Sequence, residues 1–546
     1  MSKMKNFILS GAMLLAGGLL ATSCDDWLDL APEDSYGSGS YWKTESHVAA
    51  YVDGLHKNLR DLTWQRTIIF GEVRSGLYTV GSSSDGMTTS YPNLINQNFD
   101  FNNTGVSNFG DIYGKITNCN LLIARAPQVN MDDNKRNLYM AMAYGLRALY
   151  YFDLHRIYGG VPVRTGVEVI DGILDPVKLY VPRSTPKQTL DQVKKDIEES
   201  LRLFGNNSGF NASGRGDKVY WNKAATECLA AEVYLWSAKV NCFDQKANAA
   251  DLAIAKQYLQ NVEKYYGLEM LADFSKVFDA KNKANAEIIF AVRYAEGEAT
   301  NNNGYYTYSL DTGFAKQYYR EDGTPWNDPL GLKKGYTMSM EYKQALYFLF
   351  NNEDSRLRAT FMGNFAKNAE TGELTLRGVH TVKNVGYINA TGDRIMCGDY
   401  IMYRLPWVYL SLAEIANYED DNENVEKYIN LVRERAFGAN WDKATYGYTA
   451  GDFTQNELAI LEEKTREFVQ EGQRWWDLLR MTYTKGGDAM VFHKEATLEK
   501  EEALLDMATE AHKVLWPVNV GVLNNDTTIF QTPGYGKAGQ QKECEW

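Results

Sequence analysis

Ala141-Met142-Ala143-Tyr144-Gly145-Leu146-Arg147-Ala148-Leu149-Tyr150-Tyr151-Phe152 is the stretch on which the fold class turns. Ala141, Gly145, Ala148 and Phe152 recur at steps of four, three and four, the period of an α-helix, and line one face with small residues. A face of small residues lets a second helix approach closely. Working outward, residues from about 106 to 158 read as helix, short polar break, helix. Thr185-Pro186-Lys187-Gln188 combines an N-cap, a Pro at the first helical position and a Gln at the third, a capping box that opens a helix to about Phe204. Ala224, Cys228, Ala231 and Leu235 form a second small-residue stripe, and a further helix covers about 248–265, ahead of Gly267. The helical pattern returns from about 404 to 437. It continues from Thr454-Gln455-Asn456-Glu457, read as a second capping box, to Gly472, read as a C-cap. Helices in pairs with short breaks suit a mainly α, tetratricopeptide-like solenoid, although no strict repeat period is kept.

Residues 268–400 have another texture. They are rich in Gly, Asn, Asp and Tyr and hold no sustained helical period. Short strands and long ordered loops are expected there, with some helix near 339–350. A long irregular segment between helical halves is often functional.

The whole chain has 546 residues, 23% of them charged and 44% hydrophobic, which excludes a wholly disordered protein. Mean hydropathy is −0.42 and one apolar run stands out, which excludes a polytopic membrane protein. The net charge of −13, with no basic block, makes nucleic acid a poor partner. Aromatic residues reach 13%, with Tyr (36) well ahead of Phe (22) and Trp (12). Tyr offers an apolar face and a hydroxyl, which suits polar ligands that carry apolar faces; packing between helices also uses it.

The apolar run is Phe7 to Leu20, preceded by Lys3 and Lys5. It is too short to span a bilayer and reads as a secretory signal. Leu20-Ala21-Thr22-Ser23-Cys24 resembles a bacterial lipobox, so residues 1–23 are expected to be removed and Cys24 lipidated. Asp25, Asp26 and Asp29 resemble the export signal of Bacteroidetes surface lipoproteins, and Ala31 to Ser40 reads as a flexible tether. Cys119, Cys228, Cys242, Cys397 and Cys544 are widely spaced and form no zinc pattern; most are expected to be small buried hydrophobes.

Recognisable catalytic and nucleotide motifs are absent: no G-x-x-x-x-G-K-[ST], H-E-x-x-H or G-x-S-x-G occurs. No cofactor is expected and no metal ligand is assigned; a structural calcium in the loops stays open, with no D-x-D-x-D-G pattern to place one. His155 lies within a helix and reads as packing. Glu467 and Glu471, at i, i+4 beside Arg466 and Arg474, read as ion pairs within the fold. Two carboxylates of a glycoside hydrolase could still meet in space, so an enzyme stays open on motifs alone.

Several blocks together resemble the SusD/RagB family of outer-membrane lipoproteins. They are Leu146–Leu154 with Tyr158-Gly159-Gly160-Val161-Pro162, Lys223-Ala224-Ala225 with Ala231–Leu235, Tyr403-Arg404-Leu405-Pro406 with Leu412–Asn417, and Ile429–Ala436. Glu467-Phe468 with Glu471–Leu478, and Leu515-Trp516-Pro517-Val518 with Gln531–Tyr535, complete the set. Thr532 and Val518-Asn519 depart from the family's usual Asn and Ile-Pro. The resemblance implies helix pairs supporting a loop-rich, partly β ligand face. It implies no catalysis, capture of glycan at the outer face of the outer membrane, and a complex with a SusC-type TonB-dependent transporter on which the lipoprotein acts as a lid. RagB-like members imply peptide uptake as the alternative; a surface glycoside hydrolase and a pure docking scaffold are the others. The domain reading is a lipidated tether at 24–45 and one SusD-like domain at 46–546. Within it, helical scaffold covers about 46–265 and 401–485, a ligand-binding insert about 268–400, and a mixed tail 486–546.

A sugar ring needs a flat aromatic under its C–H face and amides or carboxylates at its edge. Solvent-reachable aromatics are expected on loops, which points to Arg60–Phe101 and Tyr294–Trp326. The candidate platforms are Tyr91, Tyr305, Tyr306, Tyr308 and Trp326, with Asp85 and Asn303 as edge partners. Tyr305 to Tyr308 reads equally well as an alternating strand with one buried face.

Overall fold

The computed structural model describes residues 41–81, 91–106, 110–167, 179–210, 218–301, 317–333, 340–536 and 546. Cys24, Asp85, Asn303, Tyr305, Tyr306, Tyr308 and Cys544 lie outside the described residues.

The chain is mainly helical. Its longer helices are α1 (Glu45–Trp64), α2 (Gly110–Arg125), α3 (Asp133–Tyr158), α4 (Pro186–Phe204), α5 (Lys223–Lys239) and α6 (Asp251–Tyr265). After the irregular segment come α7 (Leu405–Tyr418), α8 (Asn422–Phe437), α9 (Phe453–Glu467) and the short α10 (Arg474–Arg480). Helix follows helix in space as in sequence: α1 packs on α2, α2 on α3, and so on to α6. Helix α6 then packs on α7, and α7 on α8 and α9, so the stack closes across the insertion. This is the tetratricopeptide-like arrangement expected from the pattern.

Helix starts follow local chemistry. Asp132 caps α3 through Lys135 N–H, Asn222 caps α5 through Ala225 N–H, and Thr185 and Gln188 make the expected reciprocal capping box on α4. One start differs from expectation. The second capping box is Asp452 with Gln455, not Thr454 with Glu457, because the Asp452 carboxylate already accepts the N–H at the third helical position. Gly472 is not the C-cap of α9 either. The helix ends at Glu467, and Gly472 sits at φ +73 where an added Cβ would lie 2.6 Å from Thr67 Cα; only Gly permits that approach.

The small-residue faces are buried as predicted. A Cβ on Gly145 would meet Trp221 Nε1 at 2.0 Å, so this glycine seats a fully buried indole against α3. Arg147 grips Asp196 of α4 with two bonds of 2.8 and 2.6 Å. Ala224, Cys228, Ala231 and Leu235 are all 0% exposed. Cys119, Cys228 and Cys397 are buried free thiols, and Cys242 is half-buried.

The irregular segment contributes small antiparallel pairs. With β1 at Tyr78–Val80, β2 at Ile288–Val292, β3 at Met340–Tyr342, β4 at Phe361–Lys367, β5 at Leu374–Thr381, β6 at Tyr387–Ile388, β7 at Arg394–Ile395 and β8 at Tyr400–Arg404, the pairs are β1–β3, β2–β8, β4–β5 and β6–β7. Strands β2 and β8 are buried along their whole length and carry the segment into the core.

A buried ion network binds this segment to the helices. Arg404, at the end of β8, holds Glu471 with bonds of 2.8 and 2.7 Å, reaches Glu287 at 3.0 Å and also meets Glu467. Arg435 of α8 pairs with Glu287 and Glu467, Arg356 with Asp354, Glu463 and Glu467, and Lys383 with Glu471. Burial alone would raise the Glu467 carboxyl, but Arg435, Arg404 and Arg356 together hold it well below the usual carboxylate range. The internal pairing expected of Glu467 and Glu471 is therefore present, with Glu471 in the turn after α9 rather than on it.

Candidate functional site

The C-terminal end of α1 builds the site. Beyond Trp64 the helix continues as one π-turn, Gln65–Ile69, in which Phe70 N–H reaches back to Gln65 O at 2.8 Å. Such widened turns inside helices are frequent at functional sites. Here the turn displays Trp64, Gln65 and Ile69 along one wall of a cavity of about 370 Å³. Tyr91 stands in the same wall, and Trp64 Nε1–H donates to its hydroxyl at 3.4 Å. Both rings are half-buried, so each keeps exposed surface.

The rest of the lining is mostly polar. The Asp100 carboxylate accepts the N–H groups of Asn102 and Asn103 at 2.7 and 3.0 Å, a tight turn that leaves both amide side chains exposed. Asn519 completes the rim. Half-exposed rings and an exposed amide pair lining one cavity are the combination a sugar requires: a surface for C–H groups and donors and acceptors for hydroxyls.

A second cavity of about 360 Å³ adjoins the first and shares Trp64. Arg60, Asp61, Tyr294 and Glu298 line it. Arg60 pairs with Glu298 at 2.6 Å, its Nε–H donates to Arg293 O at 2.6 Å, and Tyr294 OH donates to Arg60 O at 3.2 Å. Asp61 pairs with Lys115 at 2.5 Å. Burial raises the Tyr294 phenol above its ordinary value, so it stays a neutral hydrogen-bonding group.

Of the residues singled out from sequence, Tyr91 is in this wall. Trp326 requires correction: it is 0% exposed, packed with Leu330, Leu332, Val385 and Met396 and against the His380 ring at 4.9 Å, so its face cannot receive a ligand. Tyr78 is also buried, donating to Glu72 at 3.0 Å while its oxygen lies 2.7 Å from the Tyr342 hydroxyl. Asn301, the first of the three Asn, is 1% exposed and fixed to Met396 O and Gly398 O. Trp64 lies inside the Arg60–Phe101 segment expected to be loop, where sequence reasoning did not single it out; the structure instead places it at the end of α1, with the π-turn after it. Its polar flank, Gln65-Arg66 directly after it, was the available signal.

A larger cavity of about 540 Å³ lies where α3 and α5 end, lined by His155, Trp236, Phe243, Leu479, Met507 and Leu515 among others. It is a poor sugar site. Its walls are mainly apolar, and two of its charged groups are spent internally: Arg156 on Asp153 and Glu232, Lys239 on Glu414 and Glu457. His155 is no base; burial first and Arg156 second push it down to about 4. Among the described residues, no group of three or more His, Cys, Asp and Glu is arranged to hold a metal ion.

Two family models match the chain. Residues 375–535 match one described as the SusD family, and residues 26–235 match one described as starch-binding associating with outer membrane. A SusD superfamily protein from Bacteroides fragilis is 54% identical, covers 91% of this chain and 100% of its own, and superposes with a TM-score of 0.86. SusD-like protein P38 of Formosa agariphila is 24% identical over 508 residues, 88% of this chain and 92% of that protein. Surface glycan-binding protein A from Bacteroides uniformis, 19% identical over 90% of this chain and 100% of its own, shares the fold with a TM-score of 0.67.

Proposed function

The chain belongs to the SusD family, and on that premise we propose that it is a non-catalytic surface lipoprotein that captures oligosaccharide or polysaccharide and delivers it to a SusC-type TonB-dependent outer-membrane transporter. The family supports carbohydrate binding and association with the outer membrane. The observation that carries the site is that half-exposed Trp64 and Tyr91 and the exposed Asn102 and Asn103 line one cavity. Cys24 is the proposed lipid anchor, with two or more acyl chains needed for stable attachment.

Binding without turnover fits the carboxylates. A glycosidase acid must hold its proton at working pH and face the bond it cleaves. Near the cavities, Asp61 and Glu298 are engaged by Lys115 and Arg60. The carboxyl that burial pushes up to about 7, Glu72, is 0% exposed and bonded to Tyr78 OH and Gly472 N–H. The test is a glycan array with the soluble form lacking residues 1–24, repeated with Trp64→Ala. Binding to a glycan class that the variant loses supports the proposal. Release of sugar from the bound glycan, or binding to peptides in place of glycans, would overturn it.

A further inference from the structure

The groove does not end at Arg60. A third cavity, about 670 Å³, continues along α1 and shares Lys57, Arg60 and Glu298 with the one beside Trp64. Asp53, Lys57, Arg60 and Trp64 follow the helical period on one face of α1, so the three cavities run side by side along one helix. From Asp53 to Trp64 the helix rises about 16 Å, room for several sugar rings in a row.

Gly54 is the second, independent observation. It sits inside α1, where Gly is about 1 kcal/mol worse than Ala. No left-handed backbone and no close neighbour accounts for it: a Cβ built there meets nothing within 4 Å. An added side chain would enter open space, and Gly54 lines this third cavity. A helix position kept bare beside a cavity keeps that cavity open.

The walls indicate the chemistry. Tyr220 OH donates to Asp53 Oδ1 at 2.7 Å, Arg60 pairs with Glu298 at 2.6 Å, and Arg293 pairs with Asp399 at 2.9 Å. Both His56 nitrogens are used, Nδ1–H on Val52 O and Nε2 accepting from Trp221 N–H, each at 2.8 Å. Glu298 and Asp399 thus neutralise Arg60 and Arg293, and Asp53 and Lys57 are of opposite sign, leaving a surface that is rich in donors and acceptors and near zero in net charge. Lys57 is exposed and pairs with no acid among the described residues. Such a wall suits hydroxyl-rich neutral rings rather than a polyanion.

We propose that the cavity beside Gly54 is an outlying subsite for the same ligand, so that the protein reads an extended, neutral oligosaccharide lying along α1 rather than a single sugar end. This rests on the glycan-binding reading of the Trp64 cavity. The test is calorimetry with ladders of malto-, laminari-, xylo- and N-acetyllactosamine oligosaccharides, from disaccharide upward, on wild type, Gly54→Trp and Trp64→Ala. Affinity of the wild type should rise with chain length after the shortest binders. Gly54→Trp should lose that rise, about tenfold for the longest chains, bind the shortest chains as before, and melt no lower than wild type. Binding should change little with salt, as expected without net charge. Unchanged long-chain affinity in a folded Gly54→Trp overturns the proposal. If Gly54→Trp does not fold, Gly54→Leu and Lys57→Ala are held to the same length comparison. Trp64→Ala separates the two claims: loss of all binding with no Gly54 effect removes only the outlying subsite, whereas unchanged binding, or a wild type that binds no ladder, removes the central site and the subsite together.

Discussion

Inside the molecule, Arg404 meets Glu287, Glu467 and Glu471 with every member of the group at most 9% exposed. Along the outer face of α1, Arg60 meets Glu298, whose side chain is 58% exposed, beside cavities open to ligand. The same residue types do different work. In the interior each charge is balanced by several partners and by hydrogen bonds, so the insertion from Glu287 to Lys383 is fixed to α8, α9 and the turn that follows. At the groove Arg60 holds Glu298 and Arg293 O, and more than half of the Glu298 side chain stays exposed. A buried network specifies one geometry, and an exposed polar surface can receive a ligand.

The sharpest way to break this contrast is Arg404→Ala. It takes a shared partner from three buried carboxylates, which keep Arg435, Arg356 and Lys383, and should cost about 3–5 kcal/mol of stability, read by denaturant unfolding. Arg60→Ala, at the groove, should cost less than about 1 kcal/mol. Equal costs would contradict the distinction.

Glu72 lies at the seam, accepting Gly472 N–H with one oxygen and Tyr78 OH with the other. Burial raises it to about 7, against hydrogen bonds from Gly472 and Tyr78. The folded state therefore holds this proton where the unfolded chain releases it. Its stabilising contribution is complete below the unfolded value near 4.5 and is lost as pH rises to about 7. Glu72→Gln should flatten a slope of up to about 1.4 kcal/mol per pH unit in that window. Glu467, Glu463 and Glu414 act with the opposite sign: their carboxyls are held low, so their contribution is present above the usual carboxylate range and lost on acidification. A variant whose slope between about 4.5 and 7 matches wild type would place the titration elsewhere.

At the groove the effects fall on binding. By analogy with base–aromatic stacking, Trp64→Ala should cost roughly 1–3 kcal/mol of glycan affinity at unchanged melting temperature. Tyr91→Phe keeps the ring and removes the hydroxyl that accepts Trp64 Nε1–H, so about 0.5–1.5 kcal/mol is expected. A larger loss for Tyr91→Phe than for Trp64→Ala would mean that the hydroxyl, not the ring surface, makes the main contact.

The helical scaffold was legible because its signals are local and periodic. Small residues at helical spacing marked the faces of α3 and α5, and Thr185–Gln188 marked the start of α4. The misplaced start of α9 had a local cause, two overlapping cap patterns of which the Asp at 452 prevailed. The site was only half legible. Tyr91 was found because aromatics in polar surroundings invite a surface reading. Trp326 misled for the same reason: Pro325 and Asn327 flank it in sequence, but burial is decided by Val385 and Met396, far along the chain. Trp64 was hidden because no sequence pattern announces a π-turn, and the turn is what carries the helix end into the cavity wall.

The central claim is that this face of α1 binds glycan, and calorimetry of wild type against Trp64→Ala, using the glycan that binds best on an array, tests it most directly. The account predicts saturable binding by wild type, a loss of roughly tenfold or more in the variant, and superimposable melting curves. Equal affinity of the two proteins for that glycan would contradict it.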